Sequence, residues 1–110
     1  MKKSISIIRG DTYSFNFIIN ETLDNAYFTC KKTMDINDTD YIFQKTLGNG
    51  ISLVDTTEDG NVYVVRVAPD DTNEVNKGNY YYDLQLDING DTFTPLIGKF
   101  KITDDVTREE

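Results

Sequence analysis

Histidine and tryptophan are absent from this chain of 110 residues, and cysteine occurs once. Histidine is the usual general base near neutral pH, the usual partner of a serine or cysteine nucleophile and the commonest zinc ligand. The lone Cys30 cannot form an internal disulfide, and its alternation with Phe28 predicts a small buried side chain with no base beside it. We therefore expect no enzymatic activity, no cofactor and no metal centre.

Long apolar runs are also absent. The run at residues 5–8, which follows the basic Met1-Lys2-Lys3 start, is interrupted by Ser6 and ends at Arg9. A signal peptide needs an apolar region of roughly 7–15 residues, and a membrane span needs about 20. We expect neither a signal peptide nor an association with membranes.

Positive charge is scarce, with 11 Lys and Arg against 19 Asp and Glu, which gives a formal net charge of −8. Direct binding to nucleic-acid phosphates is therefore electrostatically disfavoured. Hydrophobic residues make up 38% and aromatic residues 12% of the chain, which is too much for an acidic disordered segment. We expect one folded domain with one core.

Alternation of apolar and polar residues dominates the pattern and predicts half-buried strands. At 13–19 the aromatic and aliphatic residues face one side, and 80–88 repeats this pattern. The β-branched run at 62–67 predicts a central strand covered on both faces, with Arg66 on the wetter one. Shorter strands are predicted at 5–9, 26–33, 41–46 and 51–54.

Turn residues separate these segments. Asn89-Gly90 is typical of a two-residue type I′ hairpin and predicts that 80–88 is joined to a strand at 91–103. Pro95 lacks a backbone N–H, so that strand should lie at an edge or carry a bulge. Residues 70–75 predict one helical turn after Pro69. The pattern as a whole predicts an all-β sandwich of seven or eight strands at 1–103, followed by a charged tail at 104–110.

The chain offers a few candidate contact residues. Alternation places Tyr81 on the outer side beside Asp83, where it could bind a sugar or another protein, or simply cover the rim of the sandwich. Pro95 and the tail fit a closed sheet poorly, so the strand that contains Pro95 and the tail are predicted docking elements. The tail residues concerned are Asp104, Asp105 and Arg108.

Two acidic stretches, at 35–40 and 87–91, superficially resemble calcium loops. A calcium-binding loop of the helix–loop–helix type needs a glycine at its sixth position, a bidentate glutamate at its twelfth and flanking helices. Neither stretch meets these requirements, and the second is explained by the Asn89-Gly90 hairpin. We therefore predict no metal ligands.

Six segments form an ordered set of motifs: GDTYSFNF at 10–17, AYFTCKK at 26–32, FQKTLGNGI at 43–51, GNVYVVRVAPDDT at 60–72, GNYYYDLQL at 78–86 and GKFKITDDVTR at 98–108. This ordered set resembles small structural proteins of tailed phages and prophages of Gram-positive bacteria, and is similar to the N-terminal module of baseplate upper proteins. The likeness covers nearly the whole chain.

The resemblance implies an immunoglobulin-like antiparallel β-sandwich that acts as a building block of a virion, in the tail or baseplate. It carries over no catalytic residue. Its partners would be other virion proteins or further copies of this chain, and it would be assembled in the cytoplasm of a bacterial host. Two alternatives stay open: a carbohydrate-binding module for attachment to host glycans through Tyr81, and an acidic intracellular inhibitor that mimics DNA.

Overall fold

The computed structural model describes residues 3–33 and 41–103, and in these residues the chain is almost entirely β-structure. The acidic stretch at 35–40 and the predicted tail at 104–110 lie outside the described residues. The elements in chain order are β1 (Ile5–Ile8), β2 (Tyr13–Ile19), β3 (Asn25–Lys31), β4 (Phe43–Leu47), β5 (Gly50–Thr57), β6 (Gly60–Val67), α1 (Pro69–Thr72), β7 (Gly78–Ile88) and β8 (Asp91–Thr103).

The eight strands are hydrogen-bonded in the order β1-β8-β7-β3-β4-β5-β6-β2. Among the described residues most pairings are antiparallel, and β1–β8 and β4–β5 are parallel. The β4–β5 pairing is a tight corner, in which Gly48 and Gly50 take positive φ values of 90° and 99° that suit glycine. The corner divides the sheet into a larger layer, β1-β8-β7-β3-β4, and a smaller layer, β5-β6-β2.

The two layers pack face to face around an aromatic core, which confirms the predicted all-β sandwich of seven or eight strands. Phe28 on β3 makes an edge contact with Phe15 on β2, with ring centroids 5.5 Å apart, although the two strands are not neighbours in the sheet. Phe28 also packs against Tyr82 and Phe100 within the larger layer. Such ring pairs contribute about 0.5–1.5 kcal/mol each beyond the area they bury.

The predicted hairpin between β7 and β8 is confirmed. Asn89 and Gly90 have φ values of 53° and 86°, as a type I′ turn requires. The predicted bulge near Pro95 is confirmed as well, because the β7–β8 register shifts between Leu84 and Leu86. The extra residue lies on β8, in the segment that contains Pro95.

The predicted strand at 51–54 was too short. β5 continues to Thr57, beyond the core, so that its last six residues are exposed. Hydrogen bonds across the hairpin hold this extension: the Thr56 hydroxyl donates to Asn61 Oδ1 at 3.2 Å and the Thr57 hydroxyl donates to the Gly60 carbonyl at 3.1 Å. The polar residues that follow Val54 on β5 form the exposed arm of a hairpin with β6.

The predicted helical turn is present as α1, which links the two layers. Asp71 Oδ2 accepts a hydrogen bond of 2.7 Å from the Ala68 backbone N–H at the start of α1. Thr72 is fully buried, and its hydroxyl accepts a hydrogen bond of 3.0 Å from the Gly10 N–H in the turn between β1 and β2. One side-chain hydrogen bond therefore stabilises the start of α1, and another attaches its last residue to the turn between β1 and β2.

Candidate functional site

The outer surface of the larger layer is the best candidate for a binding site, and we call it the Tyr81 face. Its side chains alternate along each strand with the buried core residues, so they point away from the core. Most of them are half-buried by their cross-strand neighbours. The Tyr81 face consists of Tyr27, Thr29, Lys31, Gln44, Tyr81, Asp83, Gln85, Ile97 and Lys99.

Tyr81 lies at the centre of a cationic row across this face. It is the direct cross-strand partner of Lys31 on β3 and of Lys99 on β8. Side chains in such positions are close, with Cβ atoms about 5 Å apart. Lys99 is exposed, and Tyr81 and Lys31 are half-buried. A chain of net charge −8 therefore places a tyrosine between two lysines in one cross-strand row.

Asp83 occupies the next row, between Thr29 on β3 and Ile97 on β8. Burial raises the pKa of the Asp83 carboxyl above its ordinary value, although the charge of Lys31 lowers it to a smaller extent. The ionised carboxylate is therefore poorly solvated in the isolated chain. A donor group supplied by a bound molecule would stabilise it.

Two polar side chains near Asp83 are hydrogen-bonded to each other. Gln44 Nε2 on β4 donates a hydrogen bond of 2.9 Å to the Thr29 hydroxyl on β3. This bond fixes a neutral polar area beside the Lys31–Tyr81–Lys99 row. The Tyr81 face therefore combines an aromatic ring, two cations, one carboxylate and neutral polar groups, which suits recognition of another protein surface.

The structure brings together part of the predicted contact surface. Tyr81 and Asp83 lie on the same face, two residues apart on β7, as predicted. Pro95 is exposed and lies at the bulge of the neighbouring strand, beside the row of Gln85. The three tail residues predicted with them, Asp104, Asp105 and Arg108, lie outside the described residues.

The two lysines beside Tyr81 were not among the contact residues predicted from the sequence. Nothing local in the sequence connects Lys31 with Tyr81, because the two residues become neighbours only through the register of β3 against β7. Alternation would have placed each of them on an outer face. The register alone decides that they share a row.

A shallow cleft of about 500 Å³ lies at the start of β7 and the end of β8, and two lysines are among its lining residues. Its lining residues are Lys77, Gly78, Asn79, Lys101, Ile102 and Thr103.

Cys30 lies on the core side of β3 and is fully buried, as predicted. Burial raises the pKa of its thiol to about 12, so the nucleophilic thiolate is not formed near neutral pH. Within residues 3–33 and 41–103, no group of three or more Cys, Asp and Glu side chains is placed to hold a metal ion. No helix in the same residues is long and apolar enough to cross a membrane.

Comparisons with known proteins give likenesses to solved structures. No family model matches the chain, and no curated protein does so either. The chain is similar to a chain in the crystal structure of the ZIG-8–RIG-5 IG1–IG1 heterodimer. The similarity has a TM-score of 0.45 and 8% sequence identity, and covers 94% of this chain and 84% of that chain. At this level the likeness carries no argument about function.

Proposed function

We propose that this chain is a non-enzymatic contact module of a phage or prophage particle, in its tail or baseplate, and that it binds a neighbouring protein through the Tyr81 face. The observation that carries the contact role is the row in which Tyr81 lies between Lys31 and Lys99. The assignment to a phage particle is supported by the resemblance of the ordered sequence segments. On this proposal the chain is incorporated during assembly in the bacterial cytoplasm.

The chemistry of the row favours a protein partner. Tyrosine supplies a large contact area and loses little conformational entropy on binding, and it is enriched at the centres of interfaces. Lys31 and Lys99 would pair with carboxylates of the partner, while Asp83 would accept a hydrogen bond from it. The partner surface therefore carries acidic side chains opposite Tyr81 and at least one donor opposite Asp83.

An incorporation experiment tests the proposal. An epitope-tagged copy of the gene is expressed in its own host strain, particles are induced and purified on a density gradient, and the tag is quantified in the particle band. We expect the wild-type chain in the band and a large loss with Tyr81→Ala or Lys99→Glu. Arg66→Glu is the matched control, since Arg66 is exposed on β6 in the smaller layer.

Two results would contradict the proposal: absence of the wild-type chain from purified particles, or full incorporation of both Tyr81 face variants.

A glycan array run with the same proteins distinguishes the carbohydrate-binding alternative from a protein contact. Retention on host cell-wall polysaccharide that is lost in Tyr81→Ala would replace the proposed protein partner with a sugar. The DNA-mimic alternative requires a continuous acidic stripe, whereas the row around Tyr81 is cationic.

A further inference from the structure

Among the strands that the structure describes, β2 has the most regular open edge. β2 ends the sheet, and in the described part of the chain its neighbouring strand is β6 alone. All seven residues from Tyr13 to Ile19 pair with β6 without a register shift. The opposite edge of β2 therefore presents a straight row of backbone groups that can pair with another strand.

Other edges of this sheet carry features that discourage pairing. β1, at the opposite end of the sheet, has four residues. The first half of β8, beyond its pairing with β1, contains Pro95 and a bulge. Proline, bulges and short length are devices by which proteins block edge-to-edge association. β2 has none of them, and it also has no charged side chain.

The inward side chains of β2 are incompletely covered. Tyr13, Phe15, Phe17 and Ile19 are all half-buried. The β6 partners of the first three are buried, and these partners are Tyr63, Val65 and Val67. A further strand alongside β2 would cover these apolar groups, provided that it carried apolar residues at alternate positions on the same side. β2 itself has this pattern.

We propose that β2 pairs antiparallel with β2 of a second copy of this chain, so that the two smaller layers form one continuous sheet. Pairing over the full length of β2 places the two-fold axis at Asn16, the middle residue of the strand. Phe15 then lies opposite Phe17 of the other copy, and Tyr13 lies opposite Ile19. Every inward residue meets an inward residue, as a symmetric interface requires.

The edge of β2 is a site at which charged side chains do not oppose the pairing of two copies. The chain has a net charge of −8, so two copies repel each other over most of their surfaces. Along β2 no charged side chain faces its symmetry mate, since the strand reads YSFNFII. The second copy also supplies a strand that is already formed, which avoids the entropy of ordering a flexible peptide.

Sedimentation equilibrium over a concentration series tests the proposal with purified chain. We expect a reversible dimer of the wild type. Asn16→Lys places two like charges opposite each other at the axis and should raise the dissociation constant at least about tenfold. Asn16→Asp should act in the same direction, and an equimolar mixture of the two variants should restore dimers with one copy of each.

Ser52→Lys is the matched control. Ser52 is exposed on β5 in the same cross-strand row as Asn16, through Val64 of β6, so it adds the same charge to the same sheet two strands away from the edge. It should leave the dimer unchanged. Circular dichroism of each variant checks that it is folded.

Three outcomes would overturn the proposal: a wild type that is monomeric at millimolar concentration, a dimer that persists in folded Asn16→Lys, or equal weakening by Ser52→Lys. Failure of the mixed variants to pair would overturn the axis at Asn16. The experiment uses neither particles nor the Tyr81 face, so its result is independent of the proposed function.

Discussion

Lys45 on β4 and Asp71 on α1 form an ion pair in which Lys45 Nζ lies 2.7 Å from Asp71 Oδ2. The two side chains are only 14% and 16% exposed. The same carboxylate oxygen accepts the Ala68 N–H at the start of α1. One carboxylate thus fixes the helical turn between the layers to a strand of the larger layer.

This pair gives the first prediction, for Asp71→Asn. The substitution leaves a mostly buried ammonium group without its counter-charge and weakens the hydrogen bond to Ala68, so the free energy of unfolding should fall by about 2 kcal/mol. Urea denaturation measures the change. Asp70→Asn is the matched control, because Asp70 lies next to it in α1 and is exposed. Equal effects of the two substitutions would show that the ion pair does not stabilise the fold.

The second prediction concerns Gly98 on β8, over which the N-terminal segment passes closely. A Cβ atom at this position would collide with the backbone carbonyl of Lys3. That carbonyl also accepts a hydrogen bond of 2.6 Å from the Tyr82 hydroxyl, and the Lys3 N–H donates to the Ile97 carbonyl at 3.0 Å. The segment therefore cannot move away without losing these bonds.

Gly98→Ala should accordingly lower the free energy of unfolding by about 1–3 kcal/mol, the usual range for an overpacked site. A double-mutant cycle by chemical denaturation identifies the cause. Deletion of residues 1–4 removes the colliding carbonyl, so most of the effect of Gly98→Ala should disappear in the shortened chain. An undiminished effect there would mean that the collision with Lys3 is not its source.

The third prediction follows from the raised pKa of Asp83. In the unfolded chain this carboxyl titrates near its ordinary value of 3.8, and in the folded chain burial raises its pKa. Between the two values the folded state binds more protons than the unfolded state. The contribution of Asp83 to stability therefore falls as pH rises through this window, and stays at its lower level above it.

Asp83→Asn removes this contribution. We expect the variant to have a higher melting temperature than the wild type at pH 7, with the difference shrinking as pH falls through the window. Thermal denaturation at a series of pH values measures it. Asp59→Asn, on the exposed β5–β6 hairpin, controls for the change in net charge. A variant that is less stable than the wild type at pH 7 would contradict the prediction.

Much of the fold was predictable because its signals are local. The alternation at 13–19 and 80–88 predicted β2 and β7, since the side chains of a strand alternate between its faces whatever lies beside it. Asn89-Gly90 predicted the hairpin because a two-residue turn needs positive φ at both positions. The sequence also predicted the outward position of Tyr81 and the burial of Cys30.

The functional surface was less predictable, because its neighbours come from distant parts of the chain. Tyr81 was recognised as an outward aromatic residue, but its position between Lys31 and Lys99 depends on the register of three strands. The open edge of β2 likewise depends on the strand order, which places β2 at the end of the sheet. Neither feature has a signature in a short stretch of sequence.

The amino-acid sequence by itself thus determined which segments are strands, which side of each strand is apolar and where the chain turns, because these properties depend on residues close together in the chain. The tertiary structure alone decided which strands are neighbours and in which register they pair. Those long-range pairings set Tyr81 between two lysines, joined Lys45 to Asp71 and left one edge of β2 open, because each arises only when distant segments are packed around a common core.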